Sequence, residues 1–366
     1  MNNKKKLFAQ IAPIIILVLA IAALVAVILT KYGESDGNTK ANPPVKDKPL
    51  FGEVVGDKLI PYFNTSCIIY DYSGMGESEF SALCDDIEEL TRYYHRLFDV
   101  YHSYDGVVNL NYLNARTSEE VVVSPELYEF LSFCKEMYFL TGGEVNVALG
   151  SVLSLWHECR ESALSGGAVK IPSEKDISEA LLHTDIDNVL LLGDNKIKLA
   201  DSEMSLDAGA IAKGYAVEKI AHMLEARGLS GIVLDYGGNL RAIGEKPSGD
   251  GWVTGIKNPR EAGEYIKKLV IKDTSVVTSG DYERYYFYEE KRYHHIIDGA
   301  TGYPAVGFSS VSIVTKNSAL ADALSTALFC MDNPDEVRGA VENIRRVLGE
   351  EISVVLVDTQ GKVTEI

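Results

Sequence analysis

The sequence has no Cys-x-x-Cys pair, and its five cysteines (Cys67, Cys84, Cys134, Cys159 and Cys330) are odd in number and widely scattered. That spacing argues against a zinc site and implies no disulfide framework. Most of the five are expected as buried small apolar residues. Positive charge is scarce as well: 35 Lys and Arg against 53 Asp and Glu leave a net charge of −18. Residues 1–31 hold four lysines and no acid, so the rest of the chain stands near −22. Such acidity excludes nucleic acid as a partner and excludes lying flat on an anionic membrane surface. A phosphate-rich ligand then needs a metal or local donors to offset repulsion. Neither GxxxxGK[ST] nor GxGxxG occurs, which removes the two commonest nucleotide-binding loops. There is no internal repeat.

Gly and Ser are nearly absent from the uncharged run Leu7–Thr30, and no small-x-small cleavage site or Cys directly follows it. Its length suits a bilayer crossing. With Lys4, Lys5 and Lys6 ahead of it, the run reads as a retained signal anchor whose amino end stays in the cytoplasm. Residues 1–31 are therefore expected as cytoplasmic lysines and transmembrane anchor, and 32–50, with Pro43, Pro44 and Pro49, as a flexible linker. Residues 51–366 are expected as an extracytoplasmic domain with a well-buried core.

Within that domain, residues 59–72 read as an aromatic, β-branched strand. From Glu77 to Tyr101, Phe80, Leu83, Ile87, Leu90, Tyr94 and Leu97 recur at helical spacing. Ser124-Pro125 is an N-cap and first-turn pair for a helix reaching about Phe139. Further helices are expected over 175–182, 319–329 and 334–348, and one emerging from a Gly-rich turn over 205–227. A hairpin is expected about Gly193-Asp194-Asn195, with strands over 231–234, 252–256, 265–272, 282–288, 292–297, 308–315 and 352–356. Mixed strands and helices without a βαβ rhythm point to an α+β fold.

The chemistry concentrates in residues 278–326. In Ala319-Leu320-Ala321-Asp322-Ala323-Leu324-Ser325-Thr326 an acid sits in a helix of small and apolar residues, where an isolated carboxylate is very costly. Thr326 lies one turn on, so the two oxygens face the same way and suit a hard cation. Upstream, Asp207-Ala208-Gly209-Ala210-Ile211-Ala212-Lys213-Gly214 lets backbone approach a ligand, and a helix starting there aims its free amides outward. Asp207 can accept from a ligand's donors and Lys213 can meet phosphate. Asp235-Tyr236-Gly237-Gly238-Asn239 reads first as a tight turn. His294 and His295, adjacent on an expected strand, point to opposite faces.

Together, DAGAIAKGYA, DYGGN, TSGDYERY, YHHIID with its following TG, and ALADALSTA resemble the ApbE family of FAD:protein FMN transferases, in family order and over roughly residues 55–355. The resemblance implies an ApbE-like α+β fold with a T-fold-like core, FAD as substrate, and magnesium. It implies transfer of FMN to a Thr or Ser of an acceptor flavoprotein carrying an Asp/Ser-Gly-Ala-Thr-Ser/Thr-like segment, with release of AMP. It also implies Asp322, Thr326 and the carbonyl of Ala210 as metal ligands, with Ser325 standing where some members have another acid. Phe63, Tyr101, Glu144, Val145, Asn146, Asp207, Lys213 and Ile297 fall on FAD-contacting positions, and His295 on the base for the acceptor hydroxyl. An FAD pyrophosphatase and a non-catalytic FAD-binding protein are the alternatives. Asp298-Gly299-Ala300-Thr301-Gly302 resembles an acceptor but reads as a structural turn.

Overall fold

Strands whose successive residues are apolar on both faces need cover on both faces, and the central sheet shows how this is supplied. The computed structural model describes residues 51–55 and 62–366; the expected anchor and linker lie outside the described residues. Among the described residues, no helix is long and apolar enough to cross a membrane. The strands are β1 (Phe51–Val55), β2 (Cys67–Asp71), β3 (Val121–Val122), β4 (Val189–Leu191), β5 (Lys196–Leu199), β6 (Ile232–Tyr236), β7 (Asn239–Ile243), β8 (Trp252–Lys257), β9 (Tyr265–Ile271), β10 (Ser275–Gly280), β11 (Tyr285–Tyr288), β12 (Lys291–His294), β13 (Phe308–Thr315), β14 (Ser353–Asp358) and β15 (Val363–Glu365). The helices are α1 (Glu77–Phe98), α2 (Leu110–Asn114), α3 (Pro125–Leu140), α4 (Gly150–Leu164), α5 (Glu174–Leu181), α6 (Ala212–Ala226), α7 (Ser318–Cys330) and α8 (Pro334–Leu348).

Eight strands form one antiparallel sheet in the order β1-β2-β6-β7-β10-β13-β14-β15. Ile69, Leu234, Val277, Val311 and Ile313 face α1, α6 and α7. Their neighbours Val233, Ala242 and Val276 face Trp252 and Ile271 of the β8–β9 ribbon. Period-two alternation thus sorts one strand's residues between a helical layer and a β layer. The α+β expectation is met.

Several boundaries differ from the sequence reading. The strand expected over 59–72 begins only at Cys67, because Tyr62–Asn64 forms a tight turn in which Phe63 and Asn64 take φ of 53° and 54°. The strand expected over 282–288 begins at Tyr285, after a turn. The one expected to reach 297 stops at His294, where the Ile296 amide donates to His294 Nδ1 and Ile297 bridges Pro304 instead. Helix α4 was not expected: apart from Gly150 its buried residues are Val152, Trp156 and Cys159, and it packs on Tyr286 and Ile297. Gly237 and Gly238, at φ of 52° and 87°, make the two-residue turn between β6 and β7.

Candidate active site

The site starts from the contact of α6 with α7. Almost every residue of α7 is buried, so its alanines and serines are what allow it to lie between the sheet and α6. Helix α6 begins without a side-chain cap of its own. Asp322, from α7, supplies one: Gly214 N donates to Oδ2 at 2.7 Å, and Lys213 Nζ donates to Oδ1 at 2.9 Å. A carboxylate at a helix N-terminus also meets the positive end of the helix dipole. The buried acid thus has its partners, as its burial demands. Gly214 is required here, because a Cβ would stand 2.4 Å from Asp322 Cβ and 2.5 Å from the Ser318 carbonyl. Three of the amides expected to point outward are in use: those of Ile211 and Ala212 donate to Ala208 O, and that of Gly214 to Asp322.

One turn along α7, Ser325 is buried and turned towards the sheet. Its hydroxyl lies 2.8 Å from Ser279 Oγ and donates to Asp322 O. Thr326 Oγ1 lies 3.4 Å from the same Ser279 oxygen, a looser contact that leaves it partly exposed. Among the described residues no group of three His, Cys, Asp or Glu side chains gathers as a metal site. What Asp322 and Thr326 offer is oxygen alone. Each Asp322 oxygen has one recorded partner, and an ionised carboxylate accepts at about four positions. Such a set fits a hard cation.

At the other end of the same segment, Asp207 is partly buried and accepts from Gly209 N at 2.7 Å. Burial pushes its carboxyl above the usual range, against the pull of the Gly209 amide, His157, Arg284 and Arg160. Tyr101, half-exposed, stacks on His157 with ring centres 4.6 Å apart, and Arg160 donates to His157 Nδ1 at 2.8 Å. His295 stands just past β12. Its Nδ1 lies 3.2 Å from the Arg284 carbonyl, which can only accept, so Nδ1 carries the proton and Nε2 is the basic nitrogen. Burial, then the charges of Arg284, His294 and Arg160, lower its pKa from 6.5 to about 3. His294 points the other way, buried against Phe329, with Nε2 donating to Ala305 O.

The structure thus pairs Lys213 with Asp322 and gathers Asp207, Tyr101 and His295 in a second group around the charges of Arg284 and Arg160. Phe63 joins it through its carbonyl, which accepts from Arg284 at 3.2 Å. Other expected contacts are placed differently. Val145 lies in the core, and the Asn146 side chain pins its own loop, donating to Thr184 O and accepting from Ala148 N. The Ile297 side chain is core as well, its carbonyl accepts from Cys330 Sγ at 3.7 Å, and its backbone bridges Pro304. Burial and the nearby acids Asp298, Glu336 and Asp332 raise the Glu144 carboxyl. Thr301 donates to Asp298 Oδ2 within a turn, as a structural turn requires. Asp281 of the TSGDYER stretch is buried and held by Arg260 at 2.9 and 2.8 Å.

The sequence reading missed Ser279, Arg284, His157 and Arg160. Ser279 and Arg284 lay inside the stretch it had singled out. His157 and Arg160 are three apart and share a face of α4, a signal that helical spacing would have given had the helix been recognised.

A model of the ApbE family matches residues 65–348. An FAD:protein FMN transferase of Treponema pallidum is 34% identical over 286 residues, 73% of this chain and 76% of that protein. One from Klebsiella pneumoniae is 30% identical over 273 residues, covering 71% and 82%. Among solved structures, the ApbE protein of Thermotoga maritima superposes with a TM-score of 0.73 at 30% identity, over 86% of this chain and 96% of that one. The apo flavinyl transferase ApbE of Pseudomonas stutzeri gives 0.69 at 25%, over 87% and 95%. With a fold shared along nearly the whole described length and a family match spanning well over half the sequence, this chain belongs to the ApbE family.

Proposed function

We propose that this chain transfers FMN from FAD to a Thr or Ser hydroxyl of an acceptor protein and releases AMP. The observation that carries the reading is the segment Asp207–Lys213. One end stands among the charges that also surround Tyr101 and His295, and the other pairs with the buried Asp322. Base and phosphate-side groups are thereby joined by seven residues of chain.

The acceptor hydroxyl is far too weak an acid to ionise alone, and Nε2 of His295 takes its proton. Its oxygen bonds to the FMN-side phosphorus, the bond from that phosphorus to the bridging oxygen breaks, and the electron pair leaves with AMP. Lys213 meets phosphate, Tyr101 covers the flavin, and Asp207 accepts from it. Asp322, Thr326 and the carbonyl of Ala210 would hold magnesium, which supplies charge neutralisation to the pyrophosphate and the departing AMP. Phosphoryl transfer consists mainly of such positioning and neutralisation, and an acidic chain has particular need of it.

Residues 7–30 anchor the chain and place residues 51–366 outside the cytoplasm. The reading is supported by the uncharged run behind Lys4–Lys6. The acceptors are then secreted or membrane electron-transfer proteins.

The test incubates the full chain in detergent with FAD, Mg²⁺ and a carrier domain bearing an Asp-Gly-Ala-Thr-Ser loop. Flavin fluorescence that survives a denaturing gel is the expected result. His295→Ala should keep FAD bound and slow transfer by about 10²- to 10⁴-fold. Free FMN and AMP formed equally without carrier would replace transfer by hydrolysis, and intact FAD with a competent carrier would leave only binding.

A further inference from the structure

We propose that Arg284 is a positioning residue for this transfer, tying His295 at the open end of the β11–β12 hairpin to the left-handed turn at Phe63–Asn64. The inference rests on the reading of His295 as the base.

The geometry begins with strand register. Tyr285 faces His294 in the hairpin, so Arg284 and His295 are the next facing pair beyond the last one in the ladder. Facing residues put their side chains on the same side of the ribbon. The Arg284 carbonyl accepts from His295 N at 3.1 Å and from His295 Nδ1 at 3.2 Å. Main chain of Arg284 therefore fixes both the place of the imidazole and its tautomer.

The side chain reaches elsewhere. Nη2 donates to Phe63 O at 3.2 Å and to Asn64 O at 3.3 Å, more than two hundred residues away in sequence. Phe63 and Asn64 both sit at positive φ, where residues with a Cβ cost roughly 1–2 kcal/mol each. Surrounding contacts must hold such a conformation. From one side the Phe63 amide donates to His95 Nδ1, and its ring meets the His95 ring edge-on at 5.5 Å. From the other side the holding group is the Arg284 guanidinium. The next residue, Thr65, presses on Gly237, where a Cβ would stand 1.5 Å from the Thr65 hydroxyl oxygen. The turn is thus wedged between α1, the β6–β7 turn and Arg284, and Arg284 joins it to His295.

Charge adds a second part. The groups around the His295 ring are Arg284 on its own hairpin, Arg160 on α4 and His294 beside it. Arg284 is the largest of the three charges, and it opposes protonation of the ring. A side chain that both braces the turn and adds its charge to the burial that lowers the neighbouring imidazole does two things that different substitutions separate.

Arg284→Met removes donor and charge, whereas Arg284→Lys keeps both in cruder form. In the full chain, Arg284→Met should transfer FMN to the carrier domain about 100-fold more slowly, with FAD dissociation constant within about threefold of the parent. The His295 imidazole, followed by ¹⁵N NMR across pH, should titrate higher than in the parent. Arg284→Lys should restore the low titration and recover at least about tenfold of the rate. A parental rate in Arg284→Met, an unmoved His295 titration, or a lysine variant as slow as the methionine one would overturn the inference. If Arg284→Met unfolds, Arg284→Gln, which keeps a donor without the charge, must still raise the His295 titration. His295→Ala separates the two levels: a normal rate there sinks the base assignment, whereas a slow His295→Ala beside a normal Arg284→Met sinks only the role of Arg284.

Discussion

The α6–α7 contact and the Arg284 side of the site are held by different means. At the first, two regular helices meet through Gly214 and the small residues of α7, and the buried Asp322 is bonded by neighbours in fixed secondary structure. At the second, a strained turn and a hairpin end meet through the long Arg284 side chain and backbone carbonyls, with the charge of Arg160 on α4 acting on His295. Close packing sets the Asp322 side, proposed to meet phosphate, and reach and charge set the Arg284 side, proposed to carry the base. A change of one methyl should therefore matter at the first, while the second should respond to charge and pH.

The largest expected effect breaks the first side directly. Asp322→Ala removes the cap of α6, the partner of Lys213 and the proposed cation ligand together, and transfer should fall by about 10³-fold. Full activity with unchanged Mg²⁺ dependence would reject its role. Gly214→Ala asks whether packing alone holds that side. Its Cβ meets Asp322 Cβ and the Ser318 carbonyl, backbone that cannot turn aside. Stability should drop by about 1–3 kcal/mol in denaturant unfolding; a neutral result would mean that the helices separate easily.

The base side is sharpened by pH. A histidine at the ordinary 6.5 would cost activity below that value, but the His295 ring is lowered to about 3 and stays neutral far into the acid range. The pH profile of kcat/KM, which reports the free enzyme, should show no acid limb at 6.5, so at pH 5.5 activity should exceed the ordinary expectation about tenfold. The same shift has a stability sign. Between the two values the unfolded chain binds the proton and the folded one does not, so this group's contribution is full above pH 6.5 and is lost as pH falls towards 3. An acid limb at 6.5 would remove the distinction between the two sides. The smallest effect concerns Asn146: its side chain pins a loop, so Asn146→Ala should cost about 1 kcal/mol of stability and leave FAD affinity nearly unchanged. A large loss of FAD binding would return it to the cofactor contacts.

How legible the site was depended on how local each signal is. Asp322 and Thr326 stood out because an acid in an apolar helix is costly and the two residues share one turn. Ser124-Pro125, the hairpin about Asp194-Asn195 and the Gly237-Gly238 turn were legible for the same reason, since each signal lies within a few neighbouring residues. Arg284 was quoted within a motif yet had no role, because nothing local says that its side chain crosses to Phe63. Helix α4 was missed along with His157 and Arg160, and the strand drawn through Phe63 hid a left-handed turn.

The sequence by itself determined the class of fold, the helix that carries Asp322, the glycine-rich start of α6 and the family to which they belong. Side-chain periodicity and the cost of burying charge are properties of neighbouring residues. Only the tertiary structure decided that Asp322 caps a different helix, that Val145 and Ile297 turn their side chains into the core, and that His295 and Phe63 share Arg284. Those facts concern residues brought together across a hundred or more positions, where the partner is chosen by the packing of the whole sheet and its helices.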